Sequence, residues 1–141
     1  MSRVRDVVHQ RDLFSVEEHQ TVAEVARKMG ELHVGAIMVF RGLELRGVFS
    51  ERDLMRRVVV ERRDPDLTAV GHVMTEDIAT IEETASLEEA MESMHANGCR
   101  HLPVTRDGGV VAFLSMRDVM HFELAQKIEE IHHMRAYISN A

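Results

Sequence analysis

Apolar and polar residues follow two rhythms along this chain, and each rhythm occurs twice. After Thr21, apolar side chains fall at Val22, Val25, Ala26 and Met29; after Ser86 they fall at Leu87, Ala90, Met91 and Met94. The i, i+3, i+4, i+7 spacing predicts an amphipathic helix in both places. Each opens on a capping box, Thr21 with Glu24 and Ser86 with Glu89. There a hydroxyl accepts an orphan amide, and a Glu three residues on reaches back. Gly98 is the expected stop of the second helix. Apolar runs follow at 34–40 and 101–105, then the turns Arg41-Gly42-Leu43-Glu44 and Arg106-Asp107-Gly108-Gly109. Return strands are expected over 45–49 and 110–114. A further helix starts at Ser50 and another at Ser115. The first is expected to run to about Glu61, with Pro65 beyond it unable to continue a helix. The second meets neither Gly nor Pro up to Ile138, and about 24 helical residues reach about 36 Å.

The two halves are copies. Residues 16–55 align with 81–120 at an offset of 65 without a gap. Ten of the 40 pairs are identical: Glu17/Glu82, Glu18/Glu83, Glu24/Glu89, Met29/Met94, Val39/Val104, Arg41/Arg106, Ser50/Ser115, Arg52/Arg117, Asp53/Asp118 and Met55/Met120. Two copies exclude a solenoid, which needs three or more stacked repeats. Residues 4–16 and 70–81 are two versions of one lead-in, a short apolar-spaced turn before a short extended piece. The expected organisation is repeat 1 over 4–62, a linker over 63–69, repeat 2 over 70–122 and a helical extension over 123–141. A repeat of about 60 residues is marginal alone, so the two are expected to bury their apolar faces on each other.

Composition narrows the function. The net charge of −7 disfavours sequence-independent binding to nucleic acid, whose affinity comes from neutralising phosphates. Charge is nonetheless segregated. Arg52, Arg56, Arg57, Arg62 and Arg63 crowd the end of repeat 1, while Glu17, Glu18, Glu82, Glu83, Glu88, Glu89 and Glu92 carry much of the acidity. A small anionic ligand remains compatible with this balance. No apolar run approaches the roughly 20 residues that span a bilayer, so no membrane insertion is expected. The first residues carry no apolar core of a secretory signal. Cys99 is the single cysteine and rules out an internal disulfide, which fits a reducing cytoplasm.

The candidate chemistry sits in Ser50-x-x-Asp53 and Ser115-x-x-Asp118. As plain structure, each is a Ser N-cap with an Asp near the positive end of a helix. The same groups can hold a ligand. A helix N-terminus attracts phosphate, a Ser hydroxyl donates to it, and an ionised Asp accepts from the paired hydroxyls of a ribose. Arg52 and Arg117 add planar forks for phosphate oxygens. His132 and His133 are adjacent and face different sides of a helix, and Cys99 with His95 and His101 is too loose for a zinc site, so no metal is expected. There is no nucleophile elbow, Walker loop or dinucleotide fingerprint, so no enzyme is expected. The methionines follow the apolar faces and read as core packing.

The order within each copy is strand, helix, strand, turn, strand, Ser-x-x-Asp, helix. It resembles the CBS domain, named after cystathionine β-synthase, whose tandem pair is called a Bateman module. The resemblance spans about 4–122. It implies an α/β (α+β) fold of two β-α-β-β-α repeats packed as a pseudo-two-fold pair, here with an extended C-terminal helix. The family's ribose signature corresponds to Gly47-Val48-Phe49-Ser50-Glu51-Arg52-Asp53 and Ala112-Phe113-Leu114-Ser115-Met116-Arg117-Asp118. Arg100-His101-Leu102-Pro103 resembles the family's phosphate-contacting basic pair before the central strand; its counterpart, Gly35-Ala36-Ile37-Met38, carries no charge. The implied second cleft holds Ile78, Ala79, Arg100, His101, Leu102, Pro103, Ser115, Arg117 and Asp118. The implied first cleft holds Leu13, Phe14, Ala36, Ser50, Arg52 and Asp53.

By resemblance, no cofactor is required, and the ligand is a regulatory adenosyl compound: AMP, ADP, ATP or S-adenosylmethionine. The second cleft, richer in phosphate donors, is favoured. A homodimer through the long last helix is expected, signalling to an effector protein. The alternative is a ligand-free assembly module in which both Ser-x-x-Asp pairs are helix caps.

Overall fold

The computed structural model describes residues 1–140; Ala141, the end of the expected extension, lies outside them. A 3-10 turn (Val4–Asp6) leads to β1 (His9–Gln10), a second 3-10 turn (Arg11–Phe14) and β2 (Ser15–Glu17). Then come α1 (Val22–Leu32), β3 (Ala36–Arg41), β4 (Glu44–Ser50) and α2 (Glu51–Asp53), which continues as a π-helical turn over Leu54–Val59. The second copy has a 3-10 turn (Val70–His72), β5 (Ile81–Glu82), α3 (Leu87–Asn97), β6 (His101–Arg106), β7 (Gly109–Ser115) and α4 (Met116–Asn140).

Capping works in both copies, but unequally. Ser86 Oγ accepts from Glu89 N at 3.1 Å, and Glu89 returns a bond from Ser86 N at 3.4 Å. Thr21 Oγ1 accepts from Glu24 N at 3.2 Å, whereas the Glu24 carboxylate takes the Gln20 amide instead. Gly98 ends α3 in the left-handed region at φ 62°; in α1 that place belongs to His33 at φ 56°. The expected helix from Ser50 to about Glu61 departs most. It widens after one α turn, with Val60 N donating to Met55 O at 3.0 Å, and Arg62 stops it at φ 56° before Pro65 is reached.

Two sheets follow one plan. In the first, β2 runs parallel to β3 and β3 antiparallel to β4; in the second, β5 runs parallel to β6 and β6 antiparallel to β7. The register shifts between Val39 and Phe40, and again between Val104 and Thr105, the same place in each copy. The second sheet carries β1 as a fourth strand on β7. Arg106 forks onto Glu83 at 2.7 and 3.0 Å, beside the β5–β6 pairing.

The lead-ins cross. Val70, Val73 and Met74 belong to the core of the first repeat, with Val22, Val25, Met29, Ile37, Val39 and Phe49. Val4 belongs to the core of the second, with Leu87, Met94, Leu102, Val104 and Leu114. Backbone bonds fix both crossings: Val70 N to Gln20 O at 2.8 Å and Val4 N to Ala85 O at 2.9 Å. Fully burying such a side chain stabilises by about 1.5–3 kcal/mol, so each repeat depends materially on the other's lead-in. A third cluster of Ala36, Met38, Phe40 and Phe113 joins the two sheets.

α4 leaves this body after Phe122, and every described residue from Glu123 onward is exposed. Among the described residues, no helix is long and apolar enough to cross a membrane.

Candidate functional site

Both Ser-x-x-Asp turns sit where a return strand becomes a helix, tied to the residue before the central strand of the same repeat. Glu51 N donates to Gly35 O at 2.9 Å, and Met116 N donates to Arg100 O at 2.8 Å. The backbones are equivalent and the side chains are not.

At the first turn the polar groups are consumed by the fold. Asp53 is 6% exposed, the one buried charged residue among those described. Its Oδ2 accepts from Ser50 N at 3.0 Å and Ser50 Oγ at 3.1 Å, while Ser50 Oγ accepts from Asp53 N at 3.2 Å. Its Oδ1 accepts from Thr75 Oγ1 at 2.9 Å and lies 3.6 Å from Arg57 Nε. Arg57 also donates to Met74 O at 2.6 Å. Thr75 lies on the crossed lead-in, paired with Val48 of β4. The crossing accounts for Gly47, since a Cβ there would stand 2.5 Å from Thr75 O and 2.9 Å from Met74 Sδ. Gly35 faces the Glu51 carboxylate, which a Cβ would meet at 3.2 Å. This turn is closed over by the crossed lead-in.

At the second turn Ser115 Oγ accepts from Asp118 N at 3.1 Å. Asp118 is only partly buried. Arg100 replaces Gly35, His101 replaces Ala36 and Met116 replaces Glu51. Arg100 and Arg117 are exposed. The His101 ring stacks on Phe113, with centroids 5.3 Å apart and planes inclined by 22°. The imidazole is pushed down to about 4: burial is the largest cause, Asp118 opposes it, and Arg100 and Arg117 reinforce it. His101 is therefore neutral near pH 7, and an arriving anion could draw a proton onto it.

The apolar residues expected beside the turns divide. Ile78 and Ala79 are half-buried, and Ala79 packs on the core of the second repeat. Leu102 is fully buried in that core, so only its backbone can face a ligand; Pro103 is buried as well. On the first side, Leu13 is half-exposed, while Phe14 and Ala36 belong to the cluster between the sheets, and Arg52 is exposed. A cavity of about 460 Å³ opens beside β1 and β7, lined by Arg5, Gln10, Glu83, Arg106 and Ala112 among others. It reaches the Ala112 end of the second signature, and the Ser115–Asp118 turn is not part of its lining. Thr75 and Arg57 were not expected near either turn. The one hint of the first was the small residue at 47, a mark of close backbone approach.

The CBS domain profile matches residues 4–60 and 70–125, and the chain belongs to the CBS-domain family with two copies in tandem. Such pairs are generally regulatory rather than catalytic modules. A curated relative is the mitochondrial CBS domain-containing protein CBSX3 of Arabidopsis thaliana, 33% identical over 123 residues. The match covers 84% of this chain and only 60% of that protein's length. Among solved structures, a putative signal-transduction protein with CBS domains from Burkholderia ambifaria is 30% identical with a TM-score of 0.77, covering 82% of this chain and 85% of that one. The CBS domain protein PAE2072 of Pyrobaculum aerophilum, solved in complex with AMP, is 27% identical with a TM-score of 0.75, covering 89% of this chain and 99% of that one.

Proposed function

We propose that this protein is a regulatory module that binds one adenine nucleotide per chain beside the second Ser-x-x-Asp turn and reports its presence to another protein. The observation that carries this reading is the basic charge gathered at the second turn and missing, at Gly35 and Ala36, from the same places at the first. The first spends Ser50 on Asp53 and Asp53 on Thr75 and Arg57, and Gly35 beside it faces Glu51. The second gathers Arg100, His101 and Arg117 around Ser115 and Asp118. Asp118 would accept from the ribose hydroxyls, Ser115 and the two arginines would hold phosphate, and His101 would stand beside it. Ile78, Ala79 and the backbone of Leu102 and Pro103 would wall the base. The AMP complex of the Pyrobaculum relative supports an adenosine nucleotide as the ligand class. AMP, ADP, ATP and S-adenosylmethionine are the compounds to compare.

Signalling rests on differential affinity. A ligand that binds one arrangement of repeats or subunits better shifts the protein toward it. We place that second arrangement in a homodimer held by α4, read by an effector protein. Truncation after Phe122 should then leave a monomer. The alternative, a ligand-free assembly module with structural caps, is favoured at the first turn by the saturation of Asp53.

Thermal unfolding with AMP, ADP, ATP, S-adenosylmethionine and NADH tests the reading. Ligand at about 100 times its Kd stabilises by about 2.7 kcal/mol. The expected result is a rise with one adenosyl compound, lost in Asp118→Ala and retained in Asp53→Ala. No shift with any of them would transfer the assembly reading to both turns.

A further inference from the structure

We infer that two copies of the chain pair through α4 in antiparallel order, with Ile128 of one copy against Ile131 of the other about the two-fold axis. The inference rests on the homodimer reading above and gives it a surface and a direction.

From Glu123 to Asn140 every described residue of α4 is exposed, and among the described residues Gln126 Nε2 donates to Ser2 Oγ at 3.1 Å. Along this length lie Leu124, Ile128, Ile131, Met134 and Ile138, each between 47% and 69% exposed. Most helical stability in a protein comes from packing an apolar face, so the apolar stripe along this helix calls for a covering surface. The positions fall in alternating steps of three and four: His121, Leu124, Ile128, Ile131, Arg135, Ile138. That is the 3.5-residue repeat of a helix packed against one other helix.

Reading the seam in both directions identifies the occupant. In a parallel pair each residue meets its own counterpart. The two Arg135 side chains then face each other inside the seam, with no carboxylate at either neighbouring seam position. In an antiparallel pair the layers are Ile128–Ile131, Leu124–Arg135 and His121–Ile138, each occurring twice. The centre is wholly aliphatic, like charges never meet, and the Arg135 stem covers Leu124 while its head reaches water. The seam is thus complementary to itself under a two-fold rotation, the requirement for an isologous contact. The two bodies sit at opposite ends, and Ile138 of each copy arrives at His121, where the other helix emerges from its body. Two helices in contact over this length bury on the order of 1,000 Å², the lower limit for a stable interface, and contact with the bodies adds to it.

The test uses the full chain. Sedimentation equilibrium should find a wild-type dimer and a monomeric Ile128→Glu. Ile128 is exposed, as is Leu124, and circular dichroism verifies that each variant keeps the fold. Leu124→Glu should remain dimeric, because its carboxylate meets Arg135 of the other copy. Spin labels on Asn140→Cys in a Cys99→Ser background give the direction. Antiparallel helices place them roughly 32 Å apart along the axis, whereas parallel helices hold them at about 20 Å. A monomeric wild type overturns both the pairing and the homodimer reading. A dimer that survives Ile128→Glu, a monomeric Leu124→Glu, or labels near 20 Å overturns the antiparallel pairing alone and leaves nucleotide binding standing.

Discussion

Thr75→Val should weaken the protein although Thr75 lies on neither Ser-x-x-Asp turn. The substitution is nearly isosteric and removes the hydroxyl that donates to Asp53 Oδ1 at 2.9 Å. Its partner is a carboxylate at 6% exposure, left with the Arg57 contact at 3.6 Å on that oxygen. A hydrogen bond to a charged group contributes about 1.5–3 kcal/mol, and Thr75 is only half-buried, so about 2 kcal/mol is expected. Asp53→Ala should cost more, about 3–4 kcal/mol, because the N-cap partner of Ser50 is lost with it. In the Asp53→Ala background Thr75→Val should then cost little, a coupling of about 2 kcal/mol in the double-mutant cycle. Urea unfolding without nucleotide measures all four proteins. In thermal scans the single Thr75→Val change corresponds to a fall of roughly 5–10 °C. A coupling below about 0.5 kcal/mol would refute the reasoning, because Thr75 would then not be clasping Asp53.

Other outcomes follow from the same geometry. Gly47→Ala should destabilise by roughly 1–3 kcal/mol, since its Cβ would meet Thr75 O at 2.5 Å, while Gly30→Ala, with nothing within 4 Å, should stabilise by about 0.5–1 kcal/mol; paired urea titrations compare them. His101 titrates near 4 in the folded chain against 6.5 ordinarily, so the unfolded chain binds more protons between those values. Stability should therefore rise with pH from about 4 to 6.5, by up to about 3 kcal/mol, and His101→Gln should flatten that rise in unfolding curves taken across the window. Nucleotide binding should draw a proton onto His101, giving calorimetric heats that differ between buffers of unequal ionisation enthalpy; identical heats would count against phosphate beside the imidazole. Met38→Ala, in the cluster between the sheets, should cost about 2–5 kcal/mol yet leave one cooperative transition, whereas two separated transitions would show repeats that fold independently.

Much of the fold could be read from periodicity because it is local. The i, i+3, i+4, i+7 stripes of α1 and α3, the turns at Gly42 and Gly108 and the unbroken run of α4 each lie within one element. The duplication then supplied the pairing of elements without any contact being known. The π-helical turn was invisible, because Leu54–Val59 carries nothing that excludes an α-helix. The sealing of Asp53 was hidden for a different reason. Its partner Thr75 is 22 residues away in sequence and reaches it only because the lead-ins cross. The contrast of Gly35 and Ala36 with Arg100 and His101 needed no structure, since the charges themselves differ. That Leu102 faces the core rather than a ligand follows from strand alternation, which a continuous apolar run conceals.

The crossed lead-ins also set an order of assembly during synthesis. At roughly 5–20 residues per second, the first repeat emerges from the ribosome within seconds. It lacks Val70, Val73 and Met74 until the linker has followed it out. Val4 must wait longer still, since its bond to Ala85 and its neighbours Leu102 and Leu114 belong to the second repeat. The first lead-in is thus made before its own repeat and seated after it, and it stays loose until the second repeat has been synthesised. During that interval the same lead-in from a second copy fits the same seat, which is the condition under which identical elements are exchanged between chains.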